Sequence, residues 1–264
     1  MAAETRRVAL WQGSVDTEVE VSGKGAPLVW LHGPWGLAPD RDFIARLSER
    51  HTVYAPKHPG TSTGNTDAVH KLDTWLDLIV YYGELFDALK LKAPAVAGHS
   101  FGGLVAAEIA ATNPSAVTKL VLIDPVGLWR DDQPVRNWML LPDAERKKAL
   151  FADPDGAGAK GFFALPTDAA QRVDALAGMV WAQACTGKFV WPIPDKGLNK
   201  HIHRISSPTL ILWGAADAIV PASYAKDFAA AIKGAKVSTV AGAGHLPHLE
   251  KPAETLAAME QFLA

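Results

Sequence analysis

The strongest constraint on this chain is a serine between two glycines, placed where an apolar run gives way to a helix. The run Ala95–Ala97 leads into Gly98-His99-Ser100-Phe101-Gly102, and a small-residue helix is predicted from Leu104 to Ala111. A strand, a sharp serine turn and a helix in this order form a nucleophile elbow, in which the serine hydroxyl stands above the sheet. A tight turn whose serine only caps the helix is the alternative interpretation.

Composition narrows the class of protein. The 264 residues are 48% hydrophobic, carry a formal net charge of −2 and include a single cysteine, Cys185. This length and apolar content suit one large α/β domain with an insertion. The charge favours neither a nucleic-acid nor a membrane partner. No signal peptide or membrane span is recognisable, and one cysteine excludes an intrachain disulfide, so we expect a cytoplasmic protein.

Short apolar strands alternate with amphipathic helices along most of the chain. This alternation predicts a doubly wound, mainly parallel sheet whose opening hairpin supplies antiparallel edge strands. Strands are predicted near residues 7–11, 15–21, 27–31, 52–55, 95–97, 119–124, 208–213 and 235–240, and the clearest helices of this part at 41–47, 72–89, 222–232 and 253–262.

The alternation stops at Pro125 and resumes at Pro208. The intervening residues are rich in tryptophan and proline, and their clearest helix is predicted at 168–184. We therefore predict a mostly helical cap at 126–207, inserted after the sixth strand, and a core domain made of 1–125 and 208–264. The aromatic content of the insertion suits a lid over an apolar pocket.

A serine hydroxyl is a weak nucleophile until a base takes its proton and a third group orients that base. Asp217 and His245 each follow a predicted strand, which places both at the sheet edge that carries Ser100. The order Ser100, Asp217, His245 is that of an α/β-hydrolase triad. Asp217 as the N-cap of a helix is one alternative interpretation. Asp124 is a second candidate for the triad acid, with a role as a turn cap as its alternative. His248 is a second candidate for the base.

Several further segments are similar to a known family. They are His32-Gly33, His58-Pro59-Gly60, Gly98 to Gly103, Trp213 to Asp217 and Gly244 to Glu250. With them the chain resembles the α/β-hydrolase fold superfamily, in its capped branch of serine esterases and carbon–carbon bond hydrolases. The resemblance implies Ser100 as nucleophile, His245 as general base and Asp217 as orienting acid, with no cofactor. No metal is predicted either, because no cluster of Asp, Glu or Cys residues accompanies His201 and His203.

The oxyanion hole departs from the family pattern. One donor is expected to be the N–H of Phe101, and the second usually follows the His-Gly of the strand-end loop. Here that residue is Pro34, which has no N–H. We predict that Trp35 supplies a displaced donor, with Gly36 as the other choice. Trp35 as a pocket wall is the alternative interpretation.

Apolar residues beside these positions and in the insertion predict an apolar substrate pocket formed by Leu128, Trp129, Trp138, Ile219, Val220 and Leu246. The expected activity is hydrolysis of a small apolar or aromatic carboxylic ester through an acyl-enzyme. The expected partner is this small-molecule substrate, and a homodimer is left open. Two other functions are considered: carbon–carbon cleavage of a dicarbonyl compound by the same triad, and ligand binding with little turnover.

Overall fold

The computed structural model describes residues 3–264, in which eight strands form one sheet. In their order across the sheet they are β1 (Glu4–Leu10), β2 (Val15–Ser22), β4 (His51–Pro56), β3 (Ala26–Leu31), β5 (Ala95–His99), β6 (Leu120–Ile123), β7 (Thr209–Gly214) and β8 (Lys236–Val240). Strand β2 is antiparallel to β1 and β4, and all the other pairs are parallel. The predicted sheet, with its antiparallel opening hairpin, is confirmed.

Ten α-helices accompany the sheet in the described part of the chain. They are α1 (Arg41–Leu47), α2 (Trp75–Ala88), α3 (Phe101–Thr112), α4 (Asp143–Leu150), α5 (Ala157–Phe162), α6 (Ala169–Val190), α7 (Leu198–His201), α8 (Tyr224–Ala231), α9 (Pro247–Glu250) and α10 (Pro252–Leu263). Among them, none combines the length and apolar character that crossing a bilayer requires.

The central parallel strands β3, β5, β6 and β7 are buried on both faces. In β3, Val29 and Leu31 pack into an apolar cluster that includes residues of α2 and α3, whereas Leu28 and Trp30 pack into a second cluster with α1. Successive side chains of a strand point to opposite faces, so helices must cover both sides of the sheet. This explains why the strand reads as a continuous apolar run rather than as an alternating pattern.

Helix α2 begins later than predicted. The prediction was residues 72–89, but the first helical residue is Trp75. Thr74 stops the helix from extending backwards, because its hydroxyl accepts the Asp77 N–H at 3.2 Å and the Asp77 carboxylate accepts the Thr74 N–H at 2.7 Å. This reciprocal pair is a capping box, and residues Thr66–Lys71 before it form a 3-10 helix instead.

Helices α4 to α7 lie between β6 and β7, in the predicted insertion. Backbone hydrogen bonds join this segment to the two loops that follow β7 and β8. The Arg136 N–H donates to the Ile219 carbonyl at 2.9 Å, and the His245 N–H donates to the Leu150 carbonyl at 2.8 Å. The division into a core domain and a cap domain stays a prediction.

Candidate active site

Ser100 occupies the turn between β5 and α3. Its φ of 53° and ψ of −112° are unusual for a residue with a side chain, and such strain costs on the order of 1–3 kcal/mol. The Ser100 N–H donates to the Ile123 carbonyl at 2.9 Å, and its carbonyl accepts the Leu104 N–H at 3.1 Å. The ladder of β6 and the first turn of α3 therefore hold the serine in this conformation.

The flanking glycines have no room for a side chain. A Cβ on Gly98 would lie 2.2 Å from the Gly102 carbonyl oxygen, and a Cβ on Gly102 would lie 2.0 Å from that of Leu31. Both distances are far below any real contact with a Cβ atom. The Gly-x-Ser-x-Gly spacing is therefore required by close backbone approach at the turn.

Ser100, His245 and Asp217 form a continuous hydrogen-bonded chain. The His245 Nε2 atom is 2.9 Å from Ser100 Oγ, and its Nδ1 atom is 2.8 Å from Asp217 Oδ2. The other Asp217 oxygen accepts the N–H groups of Ile219 at 2.8 Å and Val220 at 3.0 Å. All three site residues are buried. A carboxylate at Nδ1 favours the imidazole tautomer that leaves Nε2 free to accept the serine proton.

His248, the rival base, does not reach Ser100. Its Nε2 atom is 3.1 Å from Asp40 Oδ1, while Asp40 Oδ2 accepts the Trp30 indole N–H at 2.8 Å. The ring of His248 packs against His99, with centroids 4.5 Å apart. His248 thus belongs to a buried polar group beneath the sheet edge.

His99 supports the site from below. Its Nε2 atom is 2.7 Å from the backbone carbonyl oxygen of His245, to which the ring donates a hydrogen bond. Burial, with the neighbouring histidines, lowers the pKa of His99 well below its usual range, so the ring is neutral at pH 7. The residue before the serine therefore helps to fix the loop that carries His245.

Asp124, the rival acid, lies directly after β6. One of its oxygens accepts the Gly214 N–H at 2.9 Å, and the other is buried without a partner among the described residues. One Asp124 oxygen, one Asp217 oxygen and one His245 ring nitrogen all lie within 4.8 Å of one another. The structure thus places Asp217 on His245 Nδ1 and a second carboxyl group beside it.

A second histidine pair supports the loop that precedes Pro34. His58 Nε2 is 2.7 Å from the His32 carbonyl oxygen, and His58 Nδ1 pairs with the Tyr82 hydroxyl. The His58 ring also packs edge-on against Phe101, at 4.8 Å between centroids. Both histidines follow neighbouring parallel strands, β3 and β4, and this adjacency is the signal from which their contact could have been predicted.

A cavity of about 660 Å³ opens beside the site, between the loop after β3, α1 and the insertion helices α5 and α6. Ser100, Asp217 and His245 do not line it, but Trp35 does. The Trp35 ring packs edge-on against His245 at 5.9 Å and against Phe162 at 5.7 Å. Trp35 thus contacts both the cavity and the general-base candidate. Phe162 and Met179, which also line the cavity, were not among the predicted residues.

Comparison with known proteins shows to which family this chain belongs. The sequence matches the model of the alpha/beta hydrolase family over residues 28–258. The chain belongs to this family. A meta-cleavage product hydrolase variant from Pseudomonas fluorescens IP01 is similar in structure, with a TM-score of 0.76, 19% sequence identity and coverage of 98% of this chain and 97% of that one. This likeness shows that the alpha/beta hydrolase fold extends over nearly the whole chain.

Two curated relatives of this hydrolase differ greatly in length. The pimeloyl-[acyl-carrier protein] methyl ester esterase of Photobacterium profundum is 28% identical over 265 residues, covering 92% of this chain and 97% of the esterase. Polyketide synthase ThaQ of Burkholderia thailandensis is 28% identical over 258 residues, covering 88% of this chain. The hydrolase spans only 11% of the length of that synthase.

The six residues predicted to contact substrate do not line the large cavity of this hydrolase. Trp138 is buried and packs against Trp35 at 5.9 Å, and the Trp129 indole N–H donates to Asp131. Ile219 and Val220 act on Asp217 through their backbone, as described above, and Leu128 and Leu246 are buried core residues. Their contact with substrate stays a prediction.

Proposed function

We propose that this alpha/beta hydrolase is a serine esterase that cleaves small apolar or aromatic carboxylic esters through an acyl-enzyme. The observation that carries the proposal is the buried chain from Ser100 Oγ through His245 to Asp217, with distances of 2.9 and 2.8 Å. Such a chain supplies a nucleophile, its base and an orienting acid.

The proposed reaction has two halves. In the first, His245 takes the Ser100 proton while Oγ attacks the ester carbonyl, and the same proton then passes to the departing alcohol. In the second, His245 takes a proton from water, the resulting hydroxide attacks the acyl group, and the carboxylic acid leaves as Ser100 regains its proton. Asp217 keeps Nδ1–H in place and stabilises the imidazolium in both halves.

The oxyanion is assigned to two backbone donors. Phe101 is the first residue of α3, where an N–H has no preceding helical carbonyl to bond and lies at the positive end of the helix dipole. Pro34 cannot donate, so the second donor is the N–H of Trp35, whose ring already contacts His245. Losing one such donor costs about 10²–10³ in rate, so the displaced donor matters.

The insertion side of the cavity favours a substrate without an acid group. Carbon–carbon cleavage of a dicarbonyl compound would call for a cation from the insertion to hold the acid group of the substrate. Among the described lining residues, the insertion contributes Asp174 but no arginine or lysine. Of the three lining cations of the core, Arg41 and Lys57 are paired with Glu20 and Glu18, and Arg46 is an exposed residue of α1.

Hydrolysis of p-nitrophenyl acetate and butyrate, together with labelling by a fluorophosphonate, tests the proposal. We expect the wild-type chain to cleave both esters and to gain one label at Ser100, and Ser100→Ala to do neither. Ser115→Ala, which changes an exposed serine, is the matched control. Labelling without ester hydrolysis would contradict the esterase, and absence of labelling would contradict an activated serine.

A further inference from the structure

The topology of the sheet places Asp124 behind the acid of the candidate triad. Strand β6 lies between β5, which leads to Ser100, and β7, which leads to Asp217. Asp124 follows β6 with a φ of 42°, and its N–H donates to the Leu212 carbonyl of β7 at 3.0 Å. This backbone turns the Asp124 side chain into the interior at the end of β7, where it accepts the Gly214 N–H.

The two carboxyl groups are stabilised unequally. Asp217 has three donors, the N–H groups of Ile219 and Val220 and the Nδ1–H of His245. Asp124 has one backbone donor, and its Oδ2 atom is buried with no donor among the described residues. Oxygens of the two carboxyl groups lie within 4.8 Å of each other. Two carboxylates this close in a buried site cannot both carry a charge, and the group with more hydrogen-bond donors keeps the charge.

We infer that Asp124 holds a proton on Oδ2, donates it to the Asp217 carboxylate, and is a positioning residue that can take over the orientation of His245 when Asp217 is removed. The inference rests on the proposed function only in treating Asp217 as the triad acid. The hydrogen bond explains why Oδ2 is buried with no N–H or O–H donor in residues 3–264: this oxygen is itself the donor.

The charges around Asp124 favour its neutral form. Burial, followed by the charge of Asp217, raises the pKa of Asp124 well above its usual range, and Glu250 adds to the shift. The Gly214 N–H acts in the opposite direction. His245 is the cationic partner when it is protonated, and an Asp124 oxygen is within 4.8 Å of its ring. Without Asp217, Asp124 would lose its like-charged neighbour and would ionise against that imidazolium.

A double-mutant cycle on ester hydrolysis tests the replacement. Loss of a triad aspartate as Asp→Asn typically lowers kcat by about 10⁴-fold. We expect the kcat of Asp217→Asn to fall by clearly less than this. The double variant Asp124→Asn/Asp217→Asn should be at least about tenfold slower than Asp217→Asn alone. Glu108→Gln/Asp217→Asn, which alters another buried acid paired with His201 at 2.6 Å, should match Asp217→Asn. Equal rates for the first double variant and Asp217→Asn would overturn the replacement.

An infrared measurement tests the proton itself and needs no turnover. In Ser100→Ala at pH 7, we expect a carboxylic acid C=O band that disappears in Asp124→Asn but persists in Glu108→Gln. Carbon-13 aspartate in the wild-type chain should shift this band, which assigns it to an aspartic acid even if Asp124→Asn does not fold. Lack of any isotope-shifted aspartic acid band would overturn the inference. If no ester is cleaved, the proposed function is wrong, but the band still shows whether the Asp124 carboxyl group is protonated.

Discussion

At the scale of single residues, the partners of two histidines three positions apart separate their roles. His245 bonds Ser100 and Asp217, whereas His248 bonds Asp40 and packs on His99. Both are fully buried, so exposure does not distinguish them. His245 lies in the loop after β8 and points at the serine, whereas His248 lies on α9 and points into the core.

This difference predicts opposite effects of matched substitutions. His245→Asn removes the proposed base, and we expect ester hydrolysis to fall by about 10⁴-fold or more. His248→Asn removes a hydrogen bond to Asp40 and should cost about 1–3 kcal/mol of unfolding free energy, with kcat within about tenfold of wild type. Steady-state kinetics and urea denaturation of both variants check this, and a larger kcat loss in His248→Asn would contradict the assignment.

Trp35 lies between the cavity and the candidate active site. It is buried, and its ring contacts His245, Phe162 and Trp138. Trp35→Ala should therefore join the cavity to His245, at a cost of about 3–5 kcal/mol in unfolding free energy. We expect kcat/KM for a naphthyl ester to rise relative to p-nitrophenyl acetate. Trp181→Ala, at a half-buried tryptophan of α6 outside the cavity, should leave that ratio unchanged.

At the scale of elements, strands and the elbow could be predicted because their signals are local. Apolar runs of four to eight residues and the glycines around Ser100 need no knowledge of neighbours. Asp124 was considered as a rival acid, but its position within 4.8 Å of Asp217 was not predicted, since it depends on β6 lying between β5 and β7. Phe162 was also missed: α5 has six residues, two of them glycine, and carries no periodic pattern.

Helix α6 was predicted to end at residue 184 but continues to Val190. Its two halves have different surroundings. Residues 169–178 are all exposed, including Val173 and Leu176, whereas Cys185, Phe189 and Val190 are buried. Burial also raises the pKa of the Cys185 thiol to about 11, which keeps it protonated at pH 7. The helix is therefore anchored by its C-terminal half.

Paired substitutions in α6 test this anchoring. Phe189→Ala removes a buried ring and should lower the free energy of unfolding by about 3–5 kcal/mol. Leu176→Ala, at a side chain that is 44% exposed, should change it by no more than about 0.5 kcal/mol. Urea denaturation of the two variants provides the comparison. Equal destabilisation would mean that the N-terminal half of α6 is covered in solution.

At the scale of the whole molecule, burial couples protonation to folding. His32, His58 and His99 are fully buried, and burial is the largest cause of the lowered pKa of each ring. Two buried acids, Asp124 and Glu108, have a raised pKa for the same reason. Burial therefore disfavours the charged form of the histidines and of the acids, but its effects on stability through the two groups have opposite dependence on pH.

The sign follows from proton counts. Below the unfolded histidine pKa of about 6.5, the unfolded chain binds protons that the native histidines do not, so stability is lost as pH falls. Above the unfolded pKa of about 4 for the two acids, the native chain binds protons that the unfolded chain does not, so stability is lost as pH rises. Below about pH 6.5 the three histidines outweigh Asp124, whose pKa is raised well above its usual range, and above that pH Asp124 continues to lower stability, so stability should be greatest near that pH.

Substitution of one buried histidine measures how much that residue contributes to the pH dependence of the unfolding free energy. His99→Gln cannot titrate in either state, so the slope of unfolding free energy against pH between 5 and 6.5 should decrease by up to about 1.4 kcal/mol per pH unit, whatever the overall loss of stability. His203→Gln, at an exposed histidine, should leave the slope unchanged. Urea denaturation of wild type and both variants at several pH values measures the slopes, and an unchanged slope in His99→Gln would show that this ring is charged in the native protein.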